Sequence, residues 1–118
     1  MEMLKVIMSN IYIKIDIEEI YLNELNGKND WRKLSKNYDL SEEILDEFGD
    51  EIFWYTYTVH HHNRIDRRMF KKYEDDLDWD YISMWHELDD EFMEEFKYQL
   101  DWEVLYEFRL PKGYSIMF

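Results

Sequence analysis

The chain has no cysteine, so disulfides, thiolate metal centres and cysteine nucleophiles are excluded together, and a reducing cytosol suits it. Glycine occurs only at Gly27, Gly49 and Gly113, too sparsely for a phosphate-cradling loop or a nucleophile elbow. The single proline, Pro111, opens the turn signal Pro111-Lys112-Gly113. Cations are scarce as well: 14 Lys and Arg stand against 28 Asp and Glu, a net charge of −14. That balance repels nucleic acid and anionic membrane and is drawn to basic protein surfaces. No apolar run approaches the roughly 18 residues needed to span a bilayer. The opening MEMLKVIMSN lacks the basic start, long apolar stretch and small-residue cleavage site of a signal peptide. The expectation is a protein of the cytoplasm, with no membrane partner.

Aromatics, in contrast, make up 19% of the chain and apolar residues 46%, which argues for a packed core rather than disorder despite the charge. A length of 118 residues predicts a single domain. Its organising feature is a repeat. The segment DWRKLSKNYDLSEEILDEFGDEI (30–52) returns as DWDYISMWHELDDEFMEEFKYQL (78–100) and begins again as DWEVLYEF (101–108). A worn copy, FWYTYTVHHHNRIDRRMFKKYEDDL, fills 53–77. The marker residues Trp31, Trp54, Trp79 and Trp102 are 23, 25 and 23 positions apart. A fixed period in this range marks units that bury their apolar faces against neighbours.

Apolar residues follow each tryptophan in steps of four: Leu40, Ile44, Phe48 and Ile52 in the first unit, Leu88, Phe92, Phe96 and Leu100 in the third. The middle unit runs two residues late, as Ile65, Met69, Tyr73 and Leu77, which places a two-residue insertion in or near His60-His61-His62. Steps of four make one helical stripe. Ser41, Asp66 and Asp89 occupy equivalent capping positions, with staple pairs Leu40/Leu45, Ile65/Phe70 and Leu88/Met93. Three helices of about twelve residues are predicted. A second, shorter helix or turn is expected on Trp31–Leu34, Trp79–Ile82 and Trp102–Leu105.

The flanks read differently. Ile11, Ile13, Ile15 and Ile17 alternate as in a half-buried strand starting near Leu4. A short helix from Asp16 or Ile17 to Asn26-Gly27 follows. The tail alternates around the Pro111 turn and reads as a hairpin or as a cap on the last repeat, with a sheet between N-terminal strand and tail preferred. The fold class is therefore mainly α: about three helix–turn–helix repeats with an N-terminal strand and a small terminal sheet (α+β). Residues 1–29 hold the strand and short helix, 30–108 three and a half repeats of about 24 residues, and 109–118 the tail.

The phrase DW-x-x-I/L-S followed by L-S/D-x-E-x-x-x-x-F resembles short tandem repeats found in proteins of phages and large DNA viruses. The likeness covers residues 30–108 and is best in 30–52 and 78–100. In the middle unit Phe53 replaces the Asp before Trp54, and no LS precedes the helix. The resemblance implies a viral origin and a helical array. It carries no activity and no functional residues.

The acidic surface is the candidate site. From Asp39 to Glu51 there are seven carboxylates in 13 residues, and from Glu74 to Glu95 eleven in 22, with no Lys or Arg in either stretch. Glu42, Asp46 and Asp50 form one i, i+4 row and Glu43, Glu47 and Glu51 another. Like charges so spaced destabilise a helix slightly, and two such rows imitate the phosphates of a nucleic acid in a basic groove. A solvated face that keeps an aromatic-rich chain in solution is the plainer reading. The residues singled out are Glu42, Glu43, Asp46, Glu47, Asp50, Asp75, Asp76, Asp80, Asp89, Asp90, Glu94 and Glu95.

Other features weigh less. The basic island Arg64, Arg67, Arg68, Lys71 and Lys72 reads as pairing with the acidic helices rather than as a phosphate contact. His60-His61-His62, with His86, lacks the spacing of a metal site and reads as a loop that gains charge on mild acidification. No carboxylate pair stands out for acid/base catalysis. No catalytic residue, metal ligand or cofactor is therefore assigned, and an enzyme is not expected. The period explains four tryptophans as core. Trp85 lies outside that series, and with Tyr38, Tyr55 and Tyr57 near repeat junctions it is a candidate aromatic anchor for a protein partner.

The expected function is that of a small viral inhibitor, anti-CRISPR-like in character. It would bind a host defence nuclease (a CRISPR effector or restriction enzyme) in the host cytoplasm as a DNA mimic, without touching nucleic acid itself. The alternative is an interaction or assembly module that binds through exposed aromatics. Either a monomer or a dimer fits.

Overall fold

A computed structural model describes residues 13–118. Among them the chain is mainly helical, with one short two-stranded parallel sheet. It divides into two compact units, the first ending at Thr56 and the second beginning at Tyr57.

In the first unit, β1 (Ile13–Lys14) leads into α1 (Ile17–Leu25). Gly27 at φ 61° ends that helix with a left-handed residue, as the Asn-Gly pair predicts. Then come α2 (Trp31–Asn37), β2 (Tyr38–Asp39) and α3 (Glu42–Glu47). The strand β1 pairs with β2, Ile13 opposite Tyr38 and Lys14 opposite Asp39. The small sheet therefore forms, but the partner of the N-terminal strand is the end of the first repeat helix and not the tail. Ile13 is exposed while Ile15 and Ile17 are half-buried. Leu4 and Ile11 lie outside the described residues.

The helix α4 (Trp54–His61) carries the chain into the second unit, followed by a 3-10 turn (His62–Arg64), α5 (Arg67–Lys72), α6 (Trp79–Trp85), α7 (Asp90–Glu95) and α8 (Trp102–Phe108). The 3-10 turn occupies the place of the two-residue insertion. The segment Tyr106–Phe108, expected to alternate as a strand, completes α8, and residues 109–118 form no strand. The α8 helix wins because Asp101 caps it through the Val104 N–H and Leu105 is fully buried on its inner face.

The repeat has a hydrogen-bonding logic that accounts for its consensus residues. Asp30, Asp78 and Asp101, each one position before a tryptophan, accept the backbone N–H three residues on. The indole N–H of Trp54, Trp79 and Trp102 donates to the carbonyl five residues back, on Gly49, Glu74 and Lys97, at 2.6–2.9 Å. Trp31 finds its acceptor on the Glu24 side chain of α1 instead, at 2.9 Å. The hydroxyls four residues after three of the tryptophans link successive units. Ser35 and Ser83 are fully buried, donate to the Trp31 and Trp79 carbonyls and accept from the backbone N–H of Phe53 and Asp101. Thr58, also fully buried, accepts from Asp78 N–H.

The second helices are half the predicted length. Their caps are as expected, Ser41, Asp66 and Asp89 accepting from Ile44, Met69 and Phe92. Each helix has six residues and ends at Phe48, Tyr73 or Phe96, whose backbone (φ −107° to −114°, ψ 23° to 24°) leaves the helical basin. The next carbonyl is the one held by the indole of the following tryptophan. The apolar spacing of four therefore continues through a turn, where Ile52, Leu77 and Leu100 are buried. In the second unit the core is aromatic: Phe92 packs 4.7 Å from Phe96 and 5.1 Å from Phe70, and Trp79 5.2 Å from Phe96.

Candidate functional site

The acidic residues lie at the surface in both units. In the first, Glu43, Asp46, Glu47 and Asp50 are exposed and Glu42 is half-buried. Because α3 ends at Glu47, Asp50 and Glu51 belong to the following turn and leave the two helical rows shorter than predicted. Two faces suffice to bury Ile44 and Leu45 in a helix this short, so the carboxylates take what remains. Tyr21 of α1 donates a hydrogen bond to Glu47; burial and that bond both hold its phenol above the usual range.

In the second unit Asp75, Asp76, Asp80, Asp89, Asp90, Glu94 and Glu95 are all exposed. Asp75 and Asp76 occupy the turn after α5, Asp80 the first turn of α6, and the others α7 and its cap. Several are already engaged. Arg67 reaches Asp89 at 3.1 Å, Glu91 at 3.2 Å and Glu95 at 3.5 Å. Asp89 is held below the usual carboxylate range, first by its capping bond from Phe92 N–H and further by Arg67, against its desolvation. Lys97 pairs with Glu94 at 2.8 Å, and Tyr114 donates to Asp90 at 3.2 Å. Of the basic island, Arg67 thus pairs with the acidic α7, whereas Lys71 reaches Glu74, three residues on in the turn after its own helix, at 3.3 Å.

The histidines are placed otherwise than expected. His61 and His62 are buried, not looped into solvent. His62 Nδ1 lies 2.8 Å from His86 Nδ1, so one imidazole donates to the other. His86 also packs 4.9 Å from Phe70 and 5.1 Å from Phe92. Burial lowers the His62 pKa. Burial first, then His62 and Arg109, pushes His86 down to about 4, with Asp89 opposing. His86 therefore stays neutral on mild acidification, because its charged form would give up water in an aromatic pocket for no anionic partner strong enough to compensate. Among the described residues no three His, Asp or Glu side chains converge as metal ligands. A surface cleft of about 480 Å³ lies beside His86, lined by Asn63, Arg67, Phe70, Asp89 and Phe92 among others.

Of the candidate aromatic anchors, Trp85 is 66% exposed and Tyr55 61%. Tyr38 is half-buried, and Tyr57 is buried and stacks on His61 at 4.5 Å. An aromatic group not singled out from the sequence lies at the end of the second unit. Trp102 stands 5.8 Å from Tyr106 and 5.6 Å from Phe118, which meets Tyr98 at 5.8 Å. The signal for it was a departure from the repeat. Four positions before the tryptophans stand Gly27, Asp50, Asp75 and then Tyr98; four after stand Ser35, Thr58, Ser83 and then Tyr106.

No family model, curated protein or solved structure matches this chain. No helix among the described residues is long and apolar enough to cross a membrane.

Proposed function

We propose that the protein is a stoichiometric inhibitor of viral origin, which sets its acidic helices into the nucleic-acid-binding groove of a host defence nuclease in the host cytoplasm. The observation behind this reading is the exposed carboxylate set of α3 and its following turn. Glu43, Asp46, Glu47 and Asp50 are all exposed in a stretch of 13 residues without Lys or Arg. In the α7 set Arg67 and Lys97 neutralise part of the charge. Anions presented on short, capped helices engage a basic groove at rates raised by long-range attraction, which salt screens.

The test is binding to a panel of RNA-guided and restriction nucleases at about 50 and about 300 mM salt, with target DNA as competitor. Binding that falls with salt, with DNA and with Glu43→Gln/Glu47→Gln supports mimicry. Binding indifferent to all three, or none across the panel, overturns it. The exposure of Trp85 favours a second reading, docking or assembly through aromatics. There Trp85→Ala abolishes capture of the partner while salt has little effect.

A further inference from the structure

Repeat proteins reveal a special site where a position stops obeying the repeat. Two positions do so in the last unit. Ser35, Thr58 and Ser83 are buried links between units, yet their counterpart Tyr106 is 45% exposed and serves no such link. Asp50 and Asp75 have as their counterpart Tyr98, 77% exposed. Core packing accounts for neither.

These two tyrosines flank Trp102 and, with Phe118 (63% exposed), make one cluster. The cluster is fixed from below. Trp102 is tied to the Lys97 carbonyl at 2.6 Å, and the Lys97 ammonium to Glu94 at 2.8 Å and to the Met117 carbonyl at 2.7 Å. It already receives one cation: that ammonium sits 5.6 Å from the Tyr98 ring centroid and 5.9 Å from that of Phe118. Ring faces attract cations through their quadrupole. Glu103 and Glu107, exposed on the same helix as Tyr106, add negative charge at its edge. An apolar partner alone would have no use for that border, and an anion would be repelled.

We propose that the cluster of Tyr98, Trp102, Tyr106 and Phe118, bordered by Glu103 and Glu107, docks an arginine-bearing segment of a partner protein, guanidinium planes lying on the rings. Arginine is favoured over lysine because its planar, weakly hydrated cation stacks on aromatic faces. This site is separate from the carboxylates of α3 and stands if mimicry fails.

The test titrates the full chain into a fluorescein-labelled Arg-Gly repeat peptide at about 150 mM salt, read by anisotropy, with a Lys-Gly peptide of equal charge alongside. Indole N–H signals are followed by NMR. The expected result is tighter binding of the arginine peptide and a shift of the Trp102 indole signal. Tyr106→Ala and Phe118→Ala each weaken it about 3- to 10-fold, the range of a partly desolvated cation–π contact. Both side chains are exposed, so the variants keep the fold. Glu18→Gln/Glu19→Gln on α1 is the control for general charge and leaves affinity unchanged. No binding of the arginine peptide, equal affinity for both peptides, or equal loss in the control and the aromatic variants overturns the proposal.

Discussion

The hydroxyl links between repeat units give a quantitative prediction. Ser83 is fully buried; its Oγ donates to the Trp79 carbonyl at 2.6 Å and accepts from Asp101 N–H at 2.9 Å. Ser83→Ala removes the side-chain oxygen that receives that N–H, at a site where Asp101 is half-buried. An N–H left unsatisfied away from water costs about 1–3 kcal/mol, and partial access to water at Asp101 places the expectation at about 1–2 kcal/mol. For a chain of this size that lowers the melting midpoint by about 5–10 °C. Ser83→Thr keeps the oxygen, as Thr58 does in the middle unit, and recovers most of the loss. Urea unfolding gives the energy, and amide hydrogen exchange gives the site. The Asp101 amide, protected in the parent, exchanges rapidly in Ser83→Ala. A urea midpoint unchanged within error, or an Asp101 amide still protected, refutes the assignment of the serine as the link.

Other predictions follow from the same geometry. The pKa values of His62 and His86 are lowered in the folded state, the latter to about 4 from 6.5, so the unfolded chain binds more protons between those values and stability falls as pH drops through that window. For His86 the gap corresponds to about 3 kcal/mol, screened by partial exposure to about 1–2 kcal/mol. His86→Phe therefore gains by that amount on the parent between about pH 7 and about pH 4 in urea titrations; a pH-independent difference refutes it. Asp66→Ala removes the cap bond to Met69 N–H (2.8 Å) and costs about 1 kcal/mol by thermal unfolding. Gly27→Ala places a side chain on a residue at φ 61° with open space around it, so only backbone strain opposes it, about 1 kcal/mol in the same assay.

Much of this architecture was legible from local rules. Capping residues and the stop at Gly27 each depend on neighbours within one or two turns, and the structure has them where the sequence places them. Trp85 as an exposed aromatic and the pairing of Arg67 with the acidic α7 were readable too, because residues off the periodic stripe face outward. The length of α3, α5 and α7 was not. A stripe in steps of four looks the same through a helix and through a tight turn, and what ends each helix is a carbonyl captured by an indole arriving from the next unit.

Contacts between distant residues made the remaining decisions. Residues Tyr38–Asp39, read from the sequence as a candidate aromatic anchor and the start of an acidic stretch, became the partner of β1, because a strand takes whichever free backbone edge the packed helices bring beside it. Residues His61 and His62, polar in any sequence reading, were drawn inside since the 3-10 turn at the insertion brings His62 to His86 and the aromatic core. The cluster around Trp102 likewise exists only where α8 and Phe118 meet. Composition and periodicity alone determined that this chain is acidic and mainly helical. Which carboxylates Arg67 pairs, that His86 is kept neutral and that Phe118 stands with Trp102 were decided by tertiary packing, because each depends on a partner many residues away.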